Sequence, residues 1–239
     1  MRILLFLLML CALPLKAEPI LADLSMRQID INTTFRGADL LLFGARNDAG
    51  DIVVVVRGPR QDYVVRKKER IGGIWVNNRK EKFFNVPTFY TIASSRPLQA
   101  MENQALMQSY GVGGEFMDAA RMAGDAQKKE FWNALVAHKN AAGLYAVEEG
   151  EISFWGETLF KTLLNFPKNI MRGTYLAEIY LFRDGGLSAV QTTPIQVEKI
   201  GFEAYVYTLA HQMPLLYGLL AVAIAYLAGW LASTMFRKI

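Results

Sequence analysis

His138 and His211 are the only imidazoles in this chain of 239 residues, and they limit its acid–base and metal chemistry. Neither has a cysteine nearby, nor an H-x-E or H-x-x-x-H companion, so the spacing of a zinc site is missing. No G-x-S-x-G elbow marks a nucleophilic serine. Gly111-Val112-Gly113-Gly114-Glu115 has the look of a phosphate loop, but its flanks read as helical and no Lys-Ser/Thr pair follows, so it reads as a linker. Met101, Met107, Met117 and Met122 are soft ligands of the kind that take Cu(I). They lack M-x-x-M spacing and a histidine partner, and read instead as core filling. Cys11, the single cysteine, lies in an N-terminal apolar stretch, so no disulfide, thiolate or cysteine metal ligand is expected in an exported domain. We therefore expect no enzyme, no catalytic residues, no metal and no cofactor.

Charge gives a different candidate. Residues 57–82 hold nine basic residues (Arg57, Arg60, Arg66, Lys67, Lys68, Arg70, Arg79, Lys80 and Lys82) against Asp62, Glu69 and Glu81. On adjoining strands Arg57, Arg66, Lys68 and Arg70 could collect on one face and attract an anion, anionic headgroups or an acidic partner. The alternative is a solvated sheet face with edge-protecting lysines. Over the whole chain 26 basic and 22 acidic residues give a net charge of +4, which falls to +2 without Arg2 and Lys16. That balance excludes a nucleic-acid binder.

The elements that must position these residues are mainly strands. Met26 to Thr34 alternates, with Ile29 and Ile31 against Gln28, Asp30 and Asn32. Ala38 to Ala45 and Asp51 to Arg57 are nearly continuous apolar runs around Asn47-Asp48-Ala49-Gly50, which predicts a central hairpin. Tyr63 to Val65 starts a strand that Gly72-Gly73 turns onto Ile74 to Val76, and Phe83-Phe84 and Phe89 to Ile92 close the series. Between about residues 97 and 147 the signals are helical. Asp125 caps a helix placing Phe131, Leu135, His138 and Ala142 on one side, with Trp132 and Val136 adjoining. Strands return from Ile152, through Leu159 to Asn165, to a final hairpin across Asp184-Gly185-Gly186. The expected fold is a mainly β, immunoglobulin-like sandwich of about seven strands with a helical insertion, and Tyr175 sits where such domains place a tyrosine corner.

The two ends fix the topology. Met1 to Ala17 reads as a signal peptide, with Arg2 as its charged region and Ile3 to Leu13 as its apolar region. Pro214 to Met235 is an uncharged run of 22 residues, long enough at about 1.5 Å per residue to cross a bilayer core. Arg237 and Lys238 then fall on the cytoplasmic side. The expected organisation is a signal peptide 1–17, a periplasmic domain 18–205, a juxtamembrane segment 206–213, a transmembrane helix 214–236 and a cytoplasmic tail 237–239. His211 would lie at the membrane surface, three residues before Pro214. Ala221, Ala225, Gly229 and Ser233 form a small-residue stripe that lets a second helix approach. Alternatively, they are the ordinary small-residue content of a membrane helix.

Several longer motifs run through the chain: VVVVRGP (53–59), GIWVN (73–77), VPTFYTIASSRPL (86–98), GTYLAEIYLFRDG (173–185), VEKIGFE (197–203) and YGLLAVAIAYLAGWLA (217–232). In these the chain resembles a family of single-span membrane proteins of alphaproteobacteria. The resemblance carries over no catalytic residues. It implies an inner-membrane protein, and by association with sulfite- and organosulfonate-type anion exporters it implies a transporter accessory role. Two functions follow as expectations. One is a non-enzymatic protein whose exported domain binds or stabilises an envelope partner, either a transporter or a second copy of the chain. The other is a tethered module for a small anion or anionic glycan.

Overall fold

The computed structural model describes residues 19–47, 49–102, 104–113, 126–146 and 149–236. The expected signal segment, Met117, Met122, the Asp125 cap and the Arg237-Lys238 end lie outside them.

Among the described residues twelve strands are formed. They are β1 (Ile20–Leu24), β2 (Gln28–Ile31), β3 (Gly37–Arg46), β4 (Asp51–Arg57), β5 (Arg60–Ile71), β6 (Ile74–Pro87), β7 (Tyr90–Ser94), β8 (Gly150–Glu151), β9 (Ser153–Trp155), β10 (Leu159–Pro167), β11 (Gly173–Arg183) and β12 (Gly186–Lys199). The helices are α1 (Gln104–Ser109), α2 (Ala126–Ala141), α3 (Phe202–Gln212) and α4 (Pro214–Phe236). A four-stranded sheet runs β1-β3-β10-β9, and a six-stranded sheet runs β2-β12-β11-β4-β7-β8. A separate two-stranded sheet pairs β5 with β6.

The central hairpin expected across Asn47 to Gly50 does not form. β3 pairs with β1 and β10, whereas β4 pairs with β11 and β7, so the turn crosses between sheets. Two adjacent apolar runs have a choice of partners, and here each finds longer registers elsewhere: β3 matches β10 from Leu159↔Ala45 to Pro167↔Gly37. The chain also uses more strands than the seven expected. Phe83 and Phe84 belong to one long β6, and β1, β8 and β9 are short additions at the sheet edges.

The two larger sheets share one core. Leu40, Leu42, Phe160 and Leu164 of the first sheet meet Ile52, Val54, Val56, Ile179 and Ile195 of the second. A second core covers the outer side of the six-stranded sheet, where Val53, Val55, Ile92, Tyr180 and Phe182 pack with Met101, Met107, Phe131, Trp132 and Leu135. This explains the unbroken Val53 to Val56 run: β4 is covered on both faces, so neither parity needs a polar residue. Gln191 on β12 fastens the sheet edges together. Its amide accepts from the Ala22 N–H and donates to the Ala22 carbonyl, both at 2.7 Å, as a missing strand would. Tyr175 forms the expected corner: its hydroxyl donates to Met171 O at 2.8 Å and accepts from Met171 N at 3.1 Å.

Candidate functional site

The basic cluster separates into two parts. Arg57, at the end of β4, is not on the same face as the others. It is mostly buried, forms an ion pair with Glu178, and donates to the carbonyls of Tyr110 (2.8 Å) and Gly111 (2.9 Å). The glycine segment after α1 is thus the end of a helix held by Arg57, and Arg57 is structural. The Tyr90 hydroxyl accepts from Gly113 N at 2.9 Å in the same knot, and burial pushes its pKa up to about 12.

Arg66, Lys68 and Arg70 do share a face. β5 and β6 form an arm turned by Gly72 (φ 60°) and Gly73 (φ 90°), a left-handed pair that suits glycine in a two-residue hairpin. Alternation along β5 puts Val64, Arg66, Lys68 and Arg70 on one side. The register sets Lys82 opposite Val64, Lys80 opposite Arg66, Asn77 opposite Lys68 and Trp75 opposite Arg70. The other side turns to α2. There Lys67 meets Glu130 at 2.5 Å, and Arg79 and Asn78 both donate to Glu69 (2.6 Å each), holding its carboxyl below the usual range. Lys80 and Lys82 join the expected set, and strand parity is the signal that finds them. The tip exposes Ile71, Ile74 (72%), Trp75 (67%) and Val76.

The four-stranded sheet presents a second surface. Its strands alternate cleanly, and the residues facing away from the core include Leu21, Leu41, Phe43, Trp155, Leu159 and Leu163. These are neighbours across the ladder: Leu163 is opposite Leu41, Leu159 opposite both Ala45 and Trp155, and Leu21 opposite Ala45. Trp155 is 74% and Leu21 63% exposed. Asp23 and Lys161 flank Phe43 in register, and the Lys161 ammonium lies 5.3 Å from the Trp155 ring centre. The apolar run 38–45 concealed this surface, because a continuous run does not say which parity is covered.

The helix expected to carry His138 inward carries Lys139 inward instead. Phe131, Trp132, Leu135 and Lys139 are buried on α2, and His138 faces solvent. Residues 131, 135 and 139 follow the i, i+4, i+8 row, and the lysine rather than the histidine occupies the third place. The Lys139 ammonium donates to the Tyr63 hydroxyl (2.6 Å) and Thr88 O (3.3 Å), lies over the Tyr63 ring, and is pulled by desolvation down to about 8. Its contacts are a phenol, a backbone carbonyl and the Tyr63 and Tyr145 rings, so it reads as an internal tie between α2 and the arm. His211 stacks on Tyr207 at 4.0 Å on exposed α3. A cleft of about 850 Å³ opens between β2, β12 and α3, where Arg172, Glu198 and Lys199 meet Tyr207. Among the described residues no group of three or more His, Cys, Asp or Glu side chains could hold a metal. Met101 and Met107 are core fillers.

α4 is the one described helix long and apolar enough to cross a membrane: Pro214–Met235 has a mean hydropathy of 2.0, and none of its span is covered by the rest of the chain. Ala221, Ala225, Gly229 and Ser233 are all exposed, and a Cβ on Gly229 would meet nothing within 4 Å. A search of curated proteins finds no match. Residues 19–238 match the family described as "Putative transmembrane protein (Alph_Pro_TM)". With nearly the whole length matched and one apolar span at its C-terminal end, the chain belongs to the Alph_Pro_TM family of transmembrane proteins.

Proposed function

We propose that the chain is a non-enzymatic, single-pass inner-membrane protein whose periplasmic domain, an Ig-like sandwich, binds or stabilises another envelope protein. In this reading Met1 to Ala17 direct export, α4 crosses the bilayer, and Arg237 and Lys238 lie in the cytoplasm. The sheet pair around one core and the Tyr175 corner support the Ig-like assignment. A transporter is the partner that the family resemblance suggests.

The observation that carries the reading is the outward apolar face of Leu21, Leu41, Phe43, Leu159, Leu163 and Trp155. Soluble domains rarely leave so many large apolar neighbours in water unless another molecule covers them. The open stripe on α4 offers a second contact within the bilayer. Photo-crosslinking from position 163 in native membranes, followed by detergent pull-down, tests this. One reproducible polytopic partner is expected, lost with Phe43→Glu plus Leu163→Glu and weakened by Gly229→Ile. Equal recovery from all variants, or monomer alone, refutes the reading.

A second reading is a tethered module for anions or anionic glycans. It rests on the cations of the arm, now Arg66, Lys68, Arg70, Lys80 and Lys82, with Arg57 removed to its structural role.

A further inference from the structure

The two faces of the arm are charged differently. On the α2 side, Lys67 is matched by Glu130 and Arg79 by Glu69. On the open side five cations stand together, and Asp62, at the root, is occupied in accepting the Asn85 N–H at 3.1 Å. Arg66 and Lys80 are directly opposite each other in the ladder, an arrangement that destabilises a sheet. Lysines that only protect an edge would not need this segregation. The open face is arranged for an anionic counterpart.

The tip indicates which counterpart. Beyond the cations the strands end in Ile71, Ile74, Trp75 and Val76, all exposed around a Gly-Gly turn where an added Cβ would meet nothing within 4 Å. A nucleic acid or a soluble glycan offers no apolar phase for four such side chains. A bilayer does, with phosphates above hydrocarbon, and tryptophan favours that boundary. Basic side chains beside an apolar wedge are the composition of interfacial segments that prefer anionic lipid. The chain is itself anchored by α4, so the leaflet is present at high effective concentration.

We propose that the β5–β6 arm is a second membrane contact: Ile71, Ile74, Trp75 and Val76 enter the headgroup zone of an anionic leaflet of the membrane holding α4, while Arg66, Lys68, Arg70, Lys80 and Lys82 bind its phosphates. This rests on the anion-binding reading and names the anion as lipid. It does not depend on a protein partner at the apolar sheet. Residues 68–71 and 74–77 supply four residues per strand, or about 13 Å of arm, beyond the Lys67–Glu130 contact, more than the roughly 5–10 Å an interfacial segment enters.

The test uses the full chain with Cys11→Ser and Ile74→Cys, labelled with an environment-sensitive fluorophore and reconstituted in lipid nanodiscs. In discs containing about 30% phosphatidylglycerol the label should shift to the blue, be quenched by spin-labelled lipid, and return toward its aqueous spectrum in about 0.5 M salt. Discs of phosphatidylcholine alone should give a much weaker response. Arg66→Glu, Lys68→Glu and Arg70→Glu together should lower the inserted-to-free ratio by at least on the order of a hundredfold. A water-like label in anionic discs, with far-UV circular dichroism showing the β fold retained, overturns the proposal. An equal response in both lipids overturns the role of the cations. Binding of heparin by the same full chain without insertion overturns the lipid assignment and leaves the anion-binding reading standing. A response appearing only after membrane-protein extract is added assigns the arm to an acidic protein instead.

Discussion

Lys139→Met should remove a specific pH dependence from the stability of the domain. Lys139 is 4% exposed, and desolvation lowers its pKa from 10.5 to about 8. At about 1.4 kcal/mol per decade this shift corresponds to about 3 kcal/mol against folding with the lysine charged. Residual solvent screening, the two oxygen partners and the Tyr63 ring all favour the ammonium, which reduces the figure to about 2 kcal/mol. The sign follows from proton counting. Between pH 8 and 10.5 the unfolded chain binds a proton that the folded chain does not, so stability rises with pH. Below pH 8 both forms are charged and the penalty is complete. Tyr90 and Tyr175, pushed by burial up to about 12, act in the other direction above pH 10, where only the unfolded chain has lost their protons. The wild type should therefore gain about 1–2 kcal/mol from pH 7.5 to 9.5 and lose stability beyond pH 10. Lys139→Met should be flat below pH 9.5 and keep the alkaline fall. Denaturant unfolding of the full chain in detergent, followed by tryptophan emission, reads this, because Trp132 is buried while Trp75 and Trp155 are not. Identical pH slopes in the two proteins, or a wild type that weakens from pH 8 to 9.5, would refute the reasoning.

Gly44→Ala would place a Cβ 2.5 Å from Leu21 O and 2.6 Å from the Phe160 ring, so a loss of about 2 kcal/mol or more is expected in chemical denaturation. Arg57→Met should leave Tyr110 O without its side-chain donor, and Glu178 and Gly111 O with only the Tyr180 and Tyr90 hydroxyls, costing about 2 kcal/mol. Hydrogen exchange should show the loosening first at Tyr110 and Gly111. Arg57→Lys should not restore it, since one ammonium cannot reproduce the fork that reaches both carbonyls and the carboxylate.

Local signals revealed the arm and the last hairpin because each is closed by its own turn. Gly72-Gly73 and Asp184-Gly185-Gly186 join strands that pair with their sequence neighbours. Long-range choices were not legible. Ala38 to Ala45 and Asp51 to Arg57 are equally apolar, yet Leu41 and Phe43 face outward while Val53 and Val55 are covered by the helical insertion. Only knowledge of what lies above each sheet separates the two cases. Strand alternation gathers Arg66, Lys68 and Arg70, but no local signal separates Arg57 from them, because its partners, Glu178 and the end of α1, are distant in sequence. On α2 both His138 and Lys139 fall near the apolar row set by Phe131 and Leu135, and the buried row steps four residues from Leu135 to Lys139 and not three to His138.

The pairing of β2 with β12 has a mechanical meaning. β12 runs through Lys199 and Gly201 straight into α3 and on to the membrane helix. At its last four residues β12 is flanked in parallel by β2, from Gln196↔Gln28 to Lys199↔Ile31, while β11 holds its other side as far as Val197. A pull from the bilayer would run along the strand, so these hydrogen bonds would be strained together in shear and not peeled apart singly. The tether is thus attached at a strand end held in shear on both sides.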